Sequence, residues 1–286
     1  MKKILAVLLA VSMLFAFAAC GGDKSETDAQ KEELKQEVQD ELDTIVSDLQ
    51  YIKDNGKLVI GYTEFAPMNY NDENGDFVGF ETEFAKAVCA ELGLEAEFQL
   101  IKWAAKETEL ASKNIDCIWN GMTITPERAE AMSISTPYMA NKQVLVVRAE
   151  NADKYTTAEA LKGVKVVAEQ GSAGEEVITT EAFFAEAEYT PVLDQATALK
   201  EVWAGTEEAC VVDYVTSIGM IGEGTDYADL VVVEGVAFAD EQYGIAFRQG
   251  SDITAEVNAA ITKLVENGTL AEIAEKYKLQ DQIIAK

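Results

Sequence analysis

The chain has 286 residues, and its 51 acidic and 23 basic residues give a formal net charge of −28. This charge argues against binding to nucleic-acid phosphates and against electrostatic binding to an anionic membrane. Histidine is absent, which excludes Ser-His-Asp and Cys-His nucleophilic catalysis and any His-ligated metal, so we expect no metal and no cofactor.

The first twenty residues have the layout of an export signal. Two lysines follow Met1, residues 4–19 carry no charge, and two alanines precede Cys20. This pattern predicts a signal peptide at 1–19. The apolar run is short for a spanning helix, which needs about 20 residues, so a marginal membrane anchor is the weaker alternative. Phe17-Ala18-Ala19-Cys20 resembles a bacterial lipobox, which implies a palmitate-type lipid on Cys20 and a location on the outer face of the cytoplasmic membrane.

Residues 20–55 form a polar, acidic segment. Between positions 23 and 54 there are 11 acidic and 4 basic residues. Apolar residues recur at helical spacing, at Leu34, Val38, Leu42, Ile45, Leu49 and Ile52. We therefore predict a stalk helix that docks its apolar stripe onto the next domain. A dimerising coiled coil is the alternative, but fewer than three heptads rarely give stable pairing.

The three cysteines beyond the anchor are Cys89, Cys117 and Cys210. They are far apart, odd in number and lack metal-ligand spacing, so no disulfide framework or zinc site is indicated. Each lies in an apolar context, and we predict small buried hydrophobic residues.

From Gly56 onward, short apolar runs alternate with helical patterns. We predict strands at 58–60, 98–101, 115–119, 164–168, 209–212 and 230–233, and helices at 80–92, 106–113, 174–182, 196–203 and 253–267. This alternation predicts an α/β fold with parallel strands and helices on both faces of the sheets. Ligands of such folds bind beyond the carboxyl ends of the strands, so we expect function in the loops that follow strands.

The loop at 120–128 has the composition of a carboxylate receptor. Thr125 is a good N-cap and Pro126 suits the first helical position, so a helix should begin there. Thr123 then lies just before a helix N-terminus and Arg128 one turn inside it. A hydroxyl, main-chain N–H groups and a planar guanidinium together can bind a carboxylate.

A second loop, at 169–175, also precedes a predicted helix. Ser172 and Glu175 have capping-box spacing, and Gly171 and Gly174 allow main-chain N–H groups to approach a ligand. A helix N-terminus is an anion site, although most capped helices bind nothing.

The chain from about residue 56 to its end resembles the family-3, polar amino-acid solute-binding proteins of ABC importers. The resemblance rests on ordered segments: Gly61-Tyr62-Thr63-Glu64-Phe65-Ala66-Pro67, Val78-Gly79-Phe80-Glu81, Ile115-Asp116, Gly121-Met122-Thr123-Ile124-Thr125-Pro126-Glu127-Arg128, Pro137-Tyr138, Gln170-Gly171-Ser172, Val211-Val212-Asp213 and Gln242-Tyr243-Gly244-Ile245-Ala246-Phe247. It implies a binding protein that delivers a free amino acid to a permease and ATPase, and no enzymatic activity.

The resemblance also implies how a ligand carboxylate is held. Arg128 would clamp it, assisted by the Thr123 hydroxyl and by main-chain N–H groups near Gly121. From the other side of the cleft, the main chain around Ser172 and Ala173 would donate to the same carboxylate.

The rest of the ligand is assigned in the same way. Asp213 would accept the α-ammonium, and Phe65 and Trp103 would sandwich the ligand side chain, with core packing as the alternative for both aromatics. Glu64 and Glu169 near the side chain would suit lysine or arginine. A neutral polar amino acid such as glutamine or cystine is equally compatible, because both carboxylates could face solvent.

The implied architecture is a two-lobed, periplasmic-binding-protein-like (type II) α/β fold. Each lobe would be a mixed, mainly parallel sheet flanked by helices, with lobe 1 at 56–145 plus 241–286 and lobe 2 at 146–240. Two hinge strands near 143–148 and 242–247 would let the lobes close around the ligand. We expect a monomer.

Two other classes share this fold. A cyclohexadienyl-dehydratase-type enzyme would use Glu64 or Glu169 as a general acid, whereas Arg128 and Asp213 suit an amino acid that is held unchanged. An amino-acid sensor would have the same site, but such sensors are usually fused to a membrane helix and a signalling domain, and we expect neither here.

Overall fold

The computed structural model describes residues 47–286. The predicted signal peptide, the predicted lipidation site Cys20 and the predicted stalk positions up to Ile45 lie outside the described residues. The chain divides into two compact units, 1–55 and 56–286. Of the first unit the structure describes one helix, α1 (Asp48–Asn55). Across the described residues, no helix has the length and apolar character needed to cross a membrane.

The second unit contains two five-stranded mixed sheets, each at the centre of one lobe. The lobe 1 sheet has the strand order β4-β1-β5-β12-β6, with the β1–β4 and β1–β5 pairs parallel and the pairs of β12 antiparallel. Its strands are β1 (Lys57–Tyr62), β4 (Glu95–Leu100), β5 (Cys117–Ile118), β6 (Met132–Ile134) and β12 (Ala246–Arg248), and a hairpin of β2 (Tyr70–Asn71) and β3 (Phe77–Val78) lies beside them. The helices of this lobe are α2 (Phe80–Leu92), α3 (Lys106–Ala111), α4 (Pro126–Ala131), α8 (Ile253–Glu266) and α9 (Thr269–Lys276).

The lobe 2 sheet has the order β11-β7-β10-β8-β9, with β8 parallel to both β9 and β10 and with β7 antiparallel to its neighbours. Its strands are β7 (Met139–Arg148), β8 (Lys165–Glu169), β9 (Glu188–Val192), β10 (Ala209–Asp213) and β11 (Leu230–Tyr243). Its helices are α5 (Ala173–Thr180), α6 (Gln195–Ala204) and α7 (Tyr214–Met220). Apolar side chains cover both faces of this sheet, which is why β8 and β10 contain continuous apolar runs, at 166–168 and 209–212.

Helix α2 shows how the sequence positions lobe 1. Phe80, Phe84 and Val88 recur at helical spacing and are completely buried. The helix begins directly after Gly79, and Gly93 ends it in the left-handed conformation that glycine adopts without strain. The predicted bounds of this helix are confirmed.

The two lobes are connected by long antiparallel strands, β7 and β11. Their pairing runs from Met139–Tyr243 at one end to Arg148–Leu230 at the other, with irregular register between Val232 and Asp240. The hinge segment predicted near 143–148 lies within β7. The segment predicted near 242–247 covers the end of β11 and the start of β12. Since β7 also pairs with β10, residues 143–147 belong to the sheet of lobe 2.

The predicted elements of the globular part are present with shifts of a few residues at their ends, except that the strand predicted at 230–233 continues to Tyr243. The strand predicted at 115–119 is limited to Cys117–Ile118, and the helix predicted at 174–182 runs from Ala173 to Thr180. Cys89, Cys117 and Cys210 are free and buried, as predicted. Burial raises the pKa of the Cys89 thiol to about 12, as expected for an inert packing residue.

Candidate functional site

A cavity lies between the two lobes, at the carboxyl ends of β1, β5, β8 and β10. Lobe 1 contributes Phe65, Trp103, Asn120, Gly121, Thr123 and Arg128, and lobe 2 contributes Glu169, Ser172, Ala173, Gln195 and Asp213. Its volume is about 10 Å³, which is room for about one water molecule. The lobes are therefore closed on each other. The position of the cavity agrees with the rule for α/β sheets.

Arg128 is fixed by the start of helix α4. The Thr125 hydroxyl accepts a hydrogen bond from the Arg128 main-chain N–H at 3.2 Å, and Pro126 occupies the first turn, so the predicted cap is confirmed. The guanidinium Nη1 donates to the main-chain oxygen of Thr123 at 2.8 Å. Burial lowers the pKa of Arg128, and surrounding carboxylates oppose that shift. An arginine at this position remains charged.

The loop that carries Gly121 and Thr123 is held by hydrogen bonds to Glu81 on one side and to β11 on the other. The Gly121 N–H lies 3.0 Å from each carboxylate oxygen of Glu81, and the Tyr138 hydroxyl donates to the same carboxylate. Thr123 forms a bridge with Tyr243 of β11. Glu81 is completely buried, and burial raises its pKa to about 7. The Gly121 N–H is thus directed at Glu81, while Gly121 itself lines the cavity.

The lobe 2 loop ends in the N-terminus of helix α5. The Ser172 hydroxyl accepts from the Glu175 N–H at 3.1 Å, and the Glu175 carboxylate accepts from the Gly171 N–H at 2.6 Å. The predicted N-cap role of Ser172 is confirmed. The Glu175 carboxylate bonds to the Gly171 N–H, one residue before the Ser172 N–H that a capping box would use. Because the helix begins at Ala173, the N–H groups of its first turn have no partner one turn earlier in the helix.

Asp213 ends strand β10 and is held by three amide side chains. It is 6% exposed. Asn141 Nδ2 and Gln143 Nε2 donate to its Oδ1 at 2.5 and 2.7 Å, and Gln195 Nε2 donates to its Oδ2. The Asp213 N–H in turn donates to Gln195 Oε1 at 3.0 Å. These amides fix the direction of the carboxylate.

Glu241 lies beside Asp213 on strand β11. The amides of Asn141 and Gln143 donate to Glu241 as well as to Asp213. Burial, followed by the negative charge of Asp213, raises the pKa of Glu241 above its ordinary value. Side chains of the two hinge strands therefore share one network of carboxyl and amide groups with Asp213.

Two aromatic residues form walls of the cavity. Phe65 is 3% and Trp103 5% exposed, and Trp103 also belongs to the apolar core of lobe 1. The Lys106 ammonium lies 4.8 Å from the centre of the Trp103 ring and donates to the main-chain oxygen of Gly171 at 3.0 Å. A Cβ atom at Gly171 would lie 3.1 Å from the Cα of Ala104. The lobes thus meet closely at this edge.

The two glutamates predicted near the ligand side chain lie in different environments. Glu169 lines the cavity, is 4% exposed, and its Oε1 has no hydrogen-bond partner within residues 47–286. Glu64 is not among the cavity residues, and its carboxylate accepts from Asn71 Nδ2 at 2.6 Å. Only Glu169 of this pair faces the cleft.

Of the nine predicted ligand-binding residues, eight line the cavity and Glu64 does not. Their contacts with a ligand remain a prediction. Asn120 and Gln195 also line the cavity and were not predicted from the sequence. Asn120 Oδ1 accepts from the Thr63 main-chain N–H at 3.0 Å, which fixes the loop after β1. The amide groups of both side chains form hydrogen bonds that hold neighbouring residues in place, and no local sequence motif predicts that role.

The fold and this site define a class of protein. It is a two-lobed binding protein in which two long strands connect the α/β lobes and a small ligand is enclosed in the cleft between them. The family model described as bacterial extracellular solute-binding proteins, family 3, matches residues 58–280. The chain belongs to this family.

Similar proteins support the same placement. The chain is 32% identical over 291 residues to the glutamine-binding protein GlnH of Bacillus subtilis, covering 98% of this chain and 99% of that protein. It is 30% identical over 231 residues to the L-cystine-binding protein TcyJ of Escherichia coli, covering 80% and 85%. The crystal structure of the P235GK mutant of ArgBP from T. maritima aligns with a TM-score of 0.74 at 30% identity, covering 81% of this chain and 99% of that one.

Proposed function

We propose that this chain is the extracellular binding component of an ABC importer and that it holds one free L-amino acid between its lobes. One observation carries the proposal: Arg128 of lobe 1 and Asp213 of lobe 2 line the same closed cavity. An amino-acid zwitterion presents one anion and one cation, and each is costly to bury without a partner. The relatives named for glutamine, cystine and arginine agree with this class of ligand.

In the bound state, the α-carboxylate lies against Arg128, with the Thr123 hydroxyl and the first N–H groups of α5 around Ser172 and Ala173 completing its shell. The α-ammonium donates to Asp213. Phe65 and Trp103 lie along the ligand side chain. Each lobe supplies part of this shell, so full contact requires closure.

Because the closed cavity has a volume of about 10 Å³, an amino acid enters when the lobes move apart at β7 and β11. Closure then buries the ligand and presents both lobes to the permease. The bodies that we propose for this motion are 56–145 with 241–286 and 146–240, with the boundary on β7 shifted so that residues 143–145, which pair with β10, move with lobe 2.

A thermal-shift screen with the common amino acids tests the proposal. A ligand that binds only the folded state raises the melting temperature, and 100 times the Kd adds about 2.7 kcal/mol. We expect at least one L-amino acid to raise the melting temperature of the wild type but not that of Arg128→Ala or Asp213→Ala. Arg148→Lys, a charge-preserving change at a partly exposed residue outside the cavity lining, is the control. A wild type that responds to no amino acid would refute the proposal.

We further propose that Cys20 carries the lipid that holds the protein at the outer face of the membrane. The support is the lipobox-like Phe17-Ala18-Ala19-Cys20 and the family's extracellular location. Metabolic labelling with palmitate should mark the wild type and not Cys20→Ser, and the variant should appear in the medium. Equal labelling of both proteins would exclude this anchor.

The transport role is tested with the permease and ATPase subunits that we expect the genes beside this one to encode. Ligand-loaded protein should stimulate ATP hydrolysis by the reconstituted permease complex, because only the closed form presents both lobes together. A sensor would instead stand beside a kinase, and loaded protein would then leave ATP hydrolysis by the importer unchanged.

One observation favours the alternative of a dehydratase-type enzyme. Burial raises the pKa of Glu169 well above its ordinary value, and a protonated carboxyl in a cavity can act as a general acid. The pairing of Arg128 with Asp213 nevertheless matches a whole zwitterion that is released unchanged. Incubation with prephenate and arogenate decides between the two, because product formation would replace binding with catalysis.

A further inference from the structure

Glu169 differs from the other charged residues of the cavity in lacking a complete set of partners. Asp213 accepts hydrogen bonds on both carboxylate oxygens, and Arg128 donates to Thr123. Glu169 is 4% exposed, and its Oε1 accepts no hydrogen bond within the described part of the chain. A buried carboxylate oxygen without a donor is costly, so this group is suited to a partner that arrives with the ligand.

Lys106 is the basic side chain that could neutralise Glu169 from within the protein. Its ammonium is directed elsewhere: it donates to the main-chain oxygen of Gly171 at 3.0 Å and to that of Trp103 at 3.4 Å. Burial, followed by the negative charges of Asp213 and Asp194, raises the pKa of Glu169, and the charge of Lys106 and a hydrogen bond with the Thr63 side chain oppose this only in part. The unsatisfied position beside Glu169 is therefore one for a positive charge.

The charges of the cavity lead to the same conclusion. The charged side chains that line it are Arg128, Glu169 and Asp213. The two ends of an α-amino acid satisfy Arg128 and Asp213 and add no net charge. Glu169 then remains as the one carboxylate of this lining without a counter-charge from the ligand. A ligand whose side chain ends in a cation supplies that charge.

The walls of the cavity favour the same kind of side chain. Phe65 and Trp103 line the cavity together with Glu169. The face of an aromatic ring attracts a cation and also packs against the methylene groups that precede it. A long basic side chain can therefore lie along the aromatic walls while its charged end pairs with Glu169.

We propose, building on the amino-acid-binding function above, that Glu169 is the specificity-determining residue and that the ligand is a basic L-amino acid whose distal cation pairs with it. Neutral glutamine could donate an amide hydrogen bond to the protonated carboxyl of Glu169, whereas a cationic side chain pairs with the ionised carboxylate and lowers its raised pKa. Glu64 takes no part, because it is bonded to Asn71 outside the cavity residues.

The test compares L-arginine with L-citrulline, which has nearly the same shape without the charge, together with L-lysine, L-glutamine and L-cystine. Titration calorimetry on ligand-stripped wild type should show arginine binding about 10- to 100-fold more tightly than citrulline, as expected for a charged hydrogen bond. In Glu169→Gln the ratio should fall to within about threefold, mainly through loss of arginine affinity. Glu188→Gln, an exposed change on the neighbouring strand β9, should keep the wild-type ratio.

The outcomes separate this inference from the function on which it rests. If citrulline, glutamine or cystine binds the wild type as tightly as arginine, the basic-ligand inference is wrong and amino-acid binding stands. If arginine is preferred and Glu169→Gln keeps the preference, Glu169 is not the determinant. If the wild type binds no amino acid, both proposals fail. The wild-type comparison requires no variant, so misfolding of Glu169→Gln cannot obscure it.

Discussion

The ammonium group of Lys106 lies 3.0 Å from the main-chain oxygen of Gly171. Lys106 belongs to helix α3 of lobe 1, and Gly171 to the loop that begins helix α5 of lobe 2. This hydrogen bond therefore exists only when the lobes are closed. Lys106 is 5% exposed, and burial lowers its pKa to about 8. The contact stabilises the closed form through a residue that is not among those lining the cavity.

Lys106→Met should consequently weaken ligand binding without removing a ligand contact. A lost charged hydrogen bond in the closed form shifts the opening equilibrium, and affinity falls by about tenfold. Calorimetry measures the affinity, and small-angle scattering should show a more open protein at the same ligand concentration. The control is Lys263→Met, whose side chain forms a surface ion pair with Glu91. Unchanged affinity in Lys106→Met would show that this contact does not support closure.

Arg128→Lys should reduce affinity although it preserves the charge. Lysine has no planar fork for a carboxylate and cannot donate to Thr123 and the ligand in the same geometry. We expect a decrease of about 10- to 100-fold in calorimetry, with an unchanged melting temperature in the absence of ligand. An affinity equal to that of the wild type would mean that Arg128 does not bind the carboxylate bidentately.

Asp213→Asn should abolish binding while leaving the ligand-free protein folded. The change removes the acceptor of the α-ammonium, and losing one partner of a buried charge pair weakens binding by at least about 30-fold. It also removes the negative charge that contributes to raising the pKa of Glu241 to about 8. Urea unfolding at pH 8 measures the stability, and a large loss there would show that Asp213 is needed mainly for folding.

Gly121→Ala should disturb the carboxylate loop. Gly121 has a φ of 62°, and a Cβ atom there would lie 2.5 Å from Cε1 of Phe65. Backbone strain costs about 1 to 2 kcal/mol, and the displaced ring adds to it. Gly75→Ala is the matched control, because Gly75 has a φ of 84° with no atom within 4 Å. Urea unfolding and calorimetry should show the larger losses for Gly121→Ala, and equal effects would exclude the steric contribution.

The buried Glu81 predicts how stability depends on pH. Its pKa in the folded protein is raised to about 7 from an ordinary value of 4.5, with burial as the main cause. The folded state thus binds more protons than the unfolded state between these values. The stabilising contribution is complete below about pH 4.5 and is lost as pH rises through 7, by about 3 kcal/mol in total.

Urea unfolding from pH 4.5 to 8 checks this prediction against Glu81→Gln, which cannot titrate. The wild type should lose stability with rising pH more steeply than the variant does. Parallel pH profiles would mean that Glu81 is ionised in the folded protein throughout this range. Tyr138→Phe, which removes one donor to the carboxylate, should move the wild-type transition to higher pH.

The parts of the site that could be predicted from sequence are those determined by local chemistry. Thr125 and Pro126 fix the start of α4, and Ser172 fixes the start of α5, within three residues of the groups they cap. The strand ends follow from the apolar runs. Together these local features place Arg128, Ser172 and Asp213 at the carboxyl ends of strands.

The remaining features depend on contacts between distant segments. Gln195 reaches Asp213 from the start of α6, after a strand, β9, that the sequence pattern did not predict.

The burial of Glu81, by contrast, follows a local pattern, since Glu81 precedes Ala85 by one helical turn on the buried face of α2. Glu64 likewise lies between the buried Thr63 and Phe65, and this alternation directs it away from them.

Titration calorimetry of ligand-stripped wild type, Arg128→Ala and Asp213→Ala with a panel of L-amino acids tests the central claim most directly. The account predicts saturable 1:1 binding of at least one amino acid by the wild type, and no detectable heat from either folded variant. Binding of the same amino acid to both variants with wild-type affinity, or to none of the three proteins, would contradict it.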